Sequence, residues 1–425
     1  MGDFSSTMRG TGKGNKMKVI DSVSYPHSIG IFYTAMTQYM GFPHYGDEYK
    51  VIGLSPYGNA TMVDKLKDIL VLLDNGLFEL NGKYFKHFTD GVAMDWEGGS
   101  PSIDSIYSDA LVEKFGPVRR RGEELTQYHM DLAASVQAYT EKVIFHIAED
   151  LHKRTGLKNL CITGGVAQNS VANGKILENT SFEKLYVPPA GHDAGTSVGS
   201  ALYYIHQEQN IARPPFKHQA YTGARFSNEE IKVFLEGKEG NIIFHEKEDA
   251  LIEAVAELLH QGKVIGWFQG RAEFGPRALG NRSIIVDPSR SDAKELLNSK
   301  IKRRESFRPF APSILKEAVK DYFEVVDDVP FMEKVYNIKA EKHSVIPAVT
   351  HVNGSGRLQT VEEKDNPRYY NLIKRFSEKS GIPILLNTSF NENEPIVNNP
   401  GHAYDCFART DMDVLVLENY VITRN

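Results

Sequence analysis

The apolar positions change period along the chain, and the changes mark out its elements. Between residues 129 and 155, Leu132, Val136, Tyr139, Val143, Ile147 and Leu151 recur at spacings of three and four. That repeat puts them on one stripe of an amphipathic helix. Gly156 follows, the residue type that most readily closes a helix. Short continuous apolar runs then replace the stripe. Leu160–Thr163 predicts a strand that turns through Gly164-Gly165-Val166-Ala167 into a helix from about Asn169. Lys184–Val187 predicts a second strand, which leads through residues 188–195 into a helix ending near Tyr204. Arg213-Pro214-Pro215 stops regular structure and reads as a linker. Beyond it, Ala250–His260 reads as a helix, Lys263–Trp267 as a buried strand, and Ile382–Asn387 and Asp413–Val421 as later strands. Strands alternating with helices predict an α/β fold with ligands off the strand ends.

Composition narrows the class. A chain of 425 residues is expected to hold two or three domains. It has 49 basic and 55 acidic residues, a net charge of −6, which argues against nucleic acid as a partner. The two cysteines, Cys161 and Cys406, are read as core positions; they exclude a disulfide framework and favour a reducing cytoplasm. The longest apolar runs, such as Val414–Leu417, fall far short of the ~20 residues that span a membrane. The start of the chain is polar and Gly-rich and reads as no signal peptide. The myristoylation-like spacing of Met1, Gly2 and Ser6 reads as chance.

Candidate chemistry gathers in five places. Residues 268–283 interleave Arg271, Arg277 and Arg282 with Gly270, Gly275 and Gly280. Over 271–308 seven Arg and three Lys face five Asp or Glu, so the segment carries +5 and the rest of the chain −11. Glycine lets a backbone approach closely, and arginine forks match phosphate or carboxylate oxygens, so an anion site is expected here. Lys302, Arg303, Arg304 and Arg308 extend it. Thr350, His351 and Arg357 flank a turn-rich loop, and Asn387-Thr388-Ser389 ends a strand; both suit phosphate contacts or plain turns. Gly164, Gly165 and Asn169 form a strand-to-helix turn open to a phosphate, and Asp193 is either a metal ligand or a helix cap.

Seven ordered blocks give this pattern a family. FPHYGDEYKVIGLSPYG (42–58), ITGGVAQNSVANGKI (162–176), VPPAGHDAGTSVGSALY (187–203), GWFQGRAEFGPRALGNRSI (266–284), NSKIKRRESFRPFAPSIL (298–315), PAVTHVNGSGRLQTV (347–361) and LLNTSFNENEPIV (385–397) resemble the O-carbamoyltransferases of the nodulation and antibiotic-tailoring type. The resemblance implies a partial actin/Hsp70/sugar-kinase-like ATPase domain over 1–212, of the version used by tRNA threonylcarbamoyl transferases. A twisted α/β carbamoyl-adenylate-forming domain would follow over 220–425. It implies that carbamoyl phosphate and ATP yield carbamoyl adenylate in the second domain. The carbamoyl group then passes to a hydroxyl of a small metabolite in the first. Carbamoyl phosphate and ATP would lie among Arg271, Arg277, Arg282, Lys302, Arg308, Thr350, Arg357 and Asn387, with Arg271, Arg277, Lys302 and Arg308 catalytic. Gly164, Gly165 and Asn169 would take the adenosine side, and Asp193 a divalent metal, iron or magnesium.

Family members normally begin well before this chain's first residue, and no His-x-x-x-His pair occurs in it. The expectation is therefore a chain lacking an N-terminal lobe, with an incomplete metal site and a tendency to form a homodimer through an uncovered edge. Two other functions compete: a catalytically silent nucleotide-binding or assembly subunit, and a tRNA threonylcarbamoylation enzyme, against which the net charge speaks.

Overall fold

The computed structural model describes residues 4–95, 101–215, 219–392 and 394–424. Met1, Gly2 and Asp3, on which the reading of the chain's start rests, lie outside the described residues. The chain divides into two compact units. One comprises residues 1–187 with 191–216; the other comprises 188–190 with 217–425.

The first unit opens with an antiparallel hairpin, Ser5–Lys13 and Lys16–Ser24. The pattern of apolar residues did not announce it, because Met8, Met17 and Val19 are exposed and only Arg9 and Val23 are buried. Arg9 anchors the hairpin instead. Its guanidinium donates to Asp21 at 2.7 and 2.6 Å and to Asp150 at 2.7 Å. The helix Gln127–Thr155 is the spine of this unit and ends at Gly156, whose left-handed φ of 65° glycine takes without strain. Its buried side chains include Leu132, Val136, Tyr139 and Val143, four of the six stripe residues. Strands Asn159–Cys161 and Lys184–Tyr186 run parallel, each followed by a helix, Ser170–Asn179 and Gly195–Tyr203. Cys161 is exposed, contrary to expectation, because its strand has a single described neighbour; Cys406 is buried as expected.

The second unit is built on a nine-stranded mixed sheet. Its spatial order is Lys334–Asn337, Ser355–Val361, Ala311–Leu315, Ile384–Ser389, Arg282–Val286, Ile265–Phe268, Val414–Leu417, Tyr420–Thr423 and Asn241–Phe244. Two neighbouring pairs are parallel, Ile265–Phe268 with Val414–Leu417 and Ala311–Leu315 with Ser355–Val361; the others are antiparallel. The central strands are buried over their whole length, which is why they read as apolar runs rather than alternations. Helices Glu248–His260 and Pro367–Ser380 bring Leu251, Val255, Leu259, Leu372, Ile373 and Phe376 into the same core as Trp267. The stretch 413–421 is not one strand. It splits into a hairpin at Glu418, whose φ is 46° and whose carboxylate accepts from Gly270 N–H at 2.6 Å and from Arg368 at 2.7 Å. Among the described residues no helix is long and apolar enough to cross a membrane.

Candidate functional site

The arginine- and glycine-rich loop leaves the strand Ile265–Phe268 and returns as Arg282–Val286. It is closed on itself by a residue that sequence reasoning passed over. One carboxylate oxygen of Glu273 accepts from the backbone N–H groups of Leu279, Asn281 and Arg282 at 2.7, 2.8 and 3.3 Å. Burial pushes this carboxyl above its ordinary range, while the amide bonds pull it down. The only advance signal was an acidic residue inside an arginine-rich loop. Gly280 completes the turn at φ 107°, where a Cβ would lie 2.2 Å from the ring of Tyr369.

Arg282, expected at the ligand, is engaged with the carbonyls of the loop itself. It is 1% exposed. It donates to the carbonyls of Gln269, Asn281, Ala224 and Gly270 at 2.6–3.2 Å. Its guanidinium also stacks 3.6 Å from the centre of the Phe268 ring. Burial pulls its pKa down to about 10. Lys302 likewise turns inward. Its ammonium donates to the carbonyl and hydroxyl of Ser389 and to the carbonyl and side-chain oxygen of Asn391, tethering the loop after Ile384–Ser389. Burial, with Arg304 and Arg308 nearby, pulls its pKa well below the ordinary lysine range. Asn387 is 1% exposed and donates to the Ala278 carbonyl at 3.2 Å, to Ser313 Oγ at 3.0 Å and to Gln359 Oε1 at 3.0 Å. It braces the loop from beneath. Thr350 donates to the Ile346 carbonyl at 2.9 Å, and exposed Arg271 to the Gly223 carbonyl at 3.1 Å.

The other arginines converge. Burial and the neighbouring charge of Arg308 lower the pKa of Arg277. Burial and the charge of Arg277 lower that of Arg357 far below the ordinary range. Burial and the charges of Arg357 and Lys294 push His351 down to about 3. Arg308 has Glu305 at 3.6 Å. Arg277 of the loop thus lies within reach of the charge of Arg308, from the segment after the Leu297–Ile301 turn, and of Arg357, on the strand Ser355–Val361. Like charges desolvated together raise the free energy of the empty site, and an oxyanion relieves it. The arrangement is suited to holding a phosphate while charge shifts on it.

In the first unit Gly164 takes a φ of 103°, and nothing lies within 4 Å of a Cβ built on Gly164 or on Gly165. The backbone is therefore open before the Ser170–Asn179 helix. Asn169 caps that helix, accepting from Ala172 N–H at 3.1 Å, and exchanges bonds with Gln137 at 2.9 and 3.1 Å. Asp193 is exposed. Among the described residues no three His, Cys, Asp or Glu side chains gather as a metal cluster would. A transition-metal site needs such a set, so the described residues around Asp193 do not by themselves fit an iron ion; a magnesium ion, which needs only one or two carboxylates beside substrate phosphates, is not judged by that criterion.

Comparison with known proteins finds two family models in chain order. Residues 1–202 match the model described as Carbamoyltransferase N-terminus, and residues 256–424 match Carbamoyltransferase C-terminus. An uncharacterized protein of Synechocystis sp. is 41% identical over all of this chain and 71% of its own length. Nodulation protein NolO of Bradyrhizobium diazoefficiens is 38% identical over all of this chain and 74% of its own. Nodulation protein NolNO of Sinorhizobium fredii is also 38% identical, and there the chain spans 59% of the relative's length. With both family models in chain order and similarity to NolO over all of this chain, the chain belongs to the carbamoyltransferase family.

Proposed function

We propose that the chain is an O-carbamoyltransferase that makes carbamoyl adenylate and passes the carbamoyl group to a hydroxyl of a small metabolite. The balance of the first stage is carbamoyl phosphate, ATP and water giving carbamoyl adenylate, phosphate and pyrophosphate. Water first attacks the carbamoyl carbon of carbamoyl phosphate and phosphate leaves, giving carbamate; an oxygen of the carbamate then attacks the α-phosphorus of ATP and pyrophosphate leaves. In the second stage the acceptor oxygen attacks the carbamoyl carbon, its proton goes to solvent or a base, and AMP leaves.

The observation that carries the reading is the neighbourhood of Arg277, Arg308 and Arg357 in the second unit, where burial first, then the charge of Arg308 on Arg277 and of Arg277 on Arg357, lowers the pKa of Arg277 and of Arg357. Phosphoryl chemistry of this kind asks for positioning and charge stabilisation more than for a protein nucleophile. Arg282, Lys302, Asn387 and Glu273 act one step back, holding the loops that carry the arginines. ATP is the second substrate. The open backbone at Gly164 and Gly165 supports a nucleotide-binding, ATPase-like reading of the first unit, with phosphates at the Ser170–Asn179 helix start. No step is routed through a metal.

One observation favours a second reading. Asp193 stands outside any cluster of metal ligands among the described residues, as expected of a unit that holds nucleotide without transferring. The test is ATP–pyrophosphate exchange dependent on carbamoyl phosphate, which needs no acceptor. Exchange supports the adenylating reading; its absence with pure, folded chain overturns it.

A further inference from the structure

The cationic site contains one group that cannot serve an oxyanion. His351 lies on the turn before the strand Ser355–Val361, its own N–H donating to the Ser355 carbonyl at 2.8 Å. Ser355 and Arg357 are two residues apart on that strand and so share a face. The ring of His351 reaches the same face, with Nδ1 3.0 Å from Ser355 Oγ. The rest of that chain of bonds fixes where the ring proton sits. Ser355 N–H and Ser355 Oγ both contact the side-chain oxygen of Asn353, at 3.3 and 2.8 Å. The N–H must meet an oxygen, which sets the orientation of the Asn353 amide. The single Ser355 hydroxyl proton must then lie in the 2.8 Å contact, since two oxygens without a proton between them would repel. Ser355 Oγ is left as an acceptor, so His351 Nδ1 carries the proton. Nε2 therefore holds a lone pair. It is buried and has no hydrogen-bond partner within the protein.

A buried acceptor among arginines is costly to leave unpaired and repels the oxygens of a phosphate. It matches a ligand that is an anion at one end and carries N–H groups at the other. The geometry points to His351 as a specificity-determining residue, its Nε2 accepting a hydrogen bond from the –NH2 of a carbamoyl phosphate-type donor and so rejecting acyl phosphates that carry a methyl group there. The inference rests on the adenylating reading above and adds the residue that selects the donor that reading names. Burial beside Arg357 and Lys294 also keeps the ring neutral, so the lone pair persists through the neutral range.

The test compares carbamoyl phosphate, acetyl phosphate and inorganic phosphate by calorimetric titration of the full chain. Carbamoyl phosphate should bind about tenfold to a hundredfold more tightly than acetyl phosphate, and His351→Phe should bring that ratio near one. A second measurement needs no variant: in the wild-type chain the 15N shift of Nε2 should read as an unprotonated nitrogen and move on adding carbamoyl phosphate but not acetyl phosphate. Equal affinity for the two acyl phosphates, a ratio unchanged in His351→Phe, or a proton on Nε2 would overturn the inference while leaving the anion site standing. Failure to bind any of the three ligands would overturn both the inference and the reading beneath it.

Discussion

Arg277 and Arg282 are five residues apart on one loop, and their surroundings give them opposite duties. Arg282 is paired with four backbone carbonyls and a ring, so its loss is a loss of structure. An ammonium cannot reach four carbonyls in a fork, and Arg282→Lys should lower stability by about 2–4 kcal/mol in denaturant titration. Arg277 is held beside like charge. Arg277→Ala should leave the melting temperature unchanged or raise it, as removal of a strained functional group does. It should still lower the exchange rate by on the order of 2–4 kcal/mol in the transition state. A melting temperature that falls sharply in Arg277→Ala would make that arginine structural. Both arginines looked alike in the sequence, because a count of charge and glycine does not record which carbonyls a folded loop turns inward.

Secondary elements were legible where one period governed a long stretch. The helix Gln127–Thr155 and its Gly156 cap follow directly from the stripe of apolar residues, and buried strands such as Ile265–Phe268 follow from short apolar runs. The Ser5–Ser24 hairpin was not legible, because an ion pair rather than apolar burial holds it. The break at Glu418 was hidden because apolar residues continue on both sides of it. The turn that shapes the site depends on one glycine. Gly280→Ala adds left-handed strain and a clash with Tyr369, and should destabilise the chain by about 3 kcal/mol. An unchanged unfolding midpoint would show that the loop can move aside. The segment before the edge strand Lys334–Asn337 gives a pH test. Burial pushes the Glu333 carboxyl up to about 7. A raised pKa means the folded chain holds the proton more tightly than the unfolded one. This stabilises fully below the unfolded value near 4.5 and is lost as pH rises through 7. Melting temperatures of the wild type should fall relative to Glu333→Gln between pH 5 and 8; parallel curves would contradict the assignment.

At the scale of the whole molecule, two compact units with separate cores should respond separately to ligand. Carbamoyl phosphate, or phosphate at higher concentration, binds only the folded second unit in this account. By mass action it should raise the calorimetric transition of residues 219–424 and leave that of the first unit in place. A uniform shift of both would mean that the units unfold as one. The family was legible from seven blocks in order, whereas the division of labour within the second unit needed the bonds of Glu273, Lys302 and Asn387. Activation of a carbamoyl donor by the arginines of the second unit is read by carbamoyl-phosphate-dependent ATP–pyrophosphate exchange in the wild-type chain and in Arg277→Ala and Arg357→Ala. The account predicts exchange that requires carbamoyl phosphate in the wild type and falls by about 30- to 1000-fold in each folded variant. Exchange absent from the wild type, or undiminished in both variants, would contradict it.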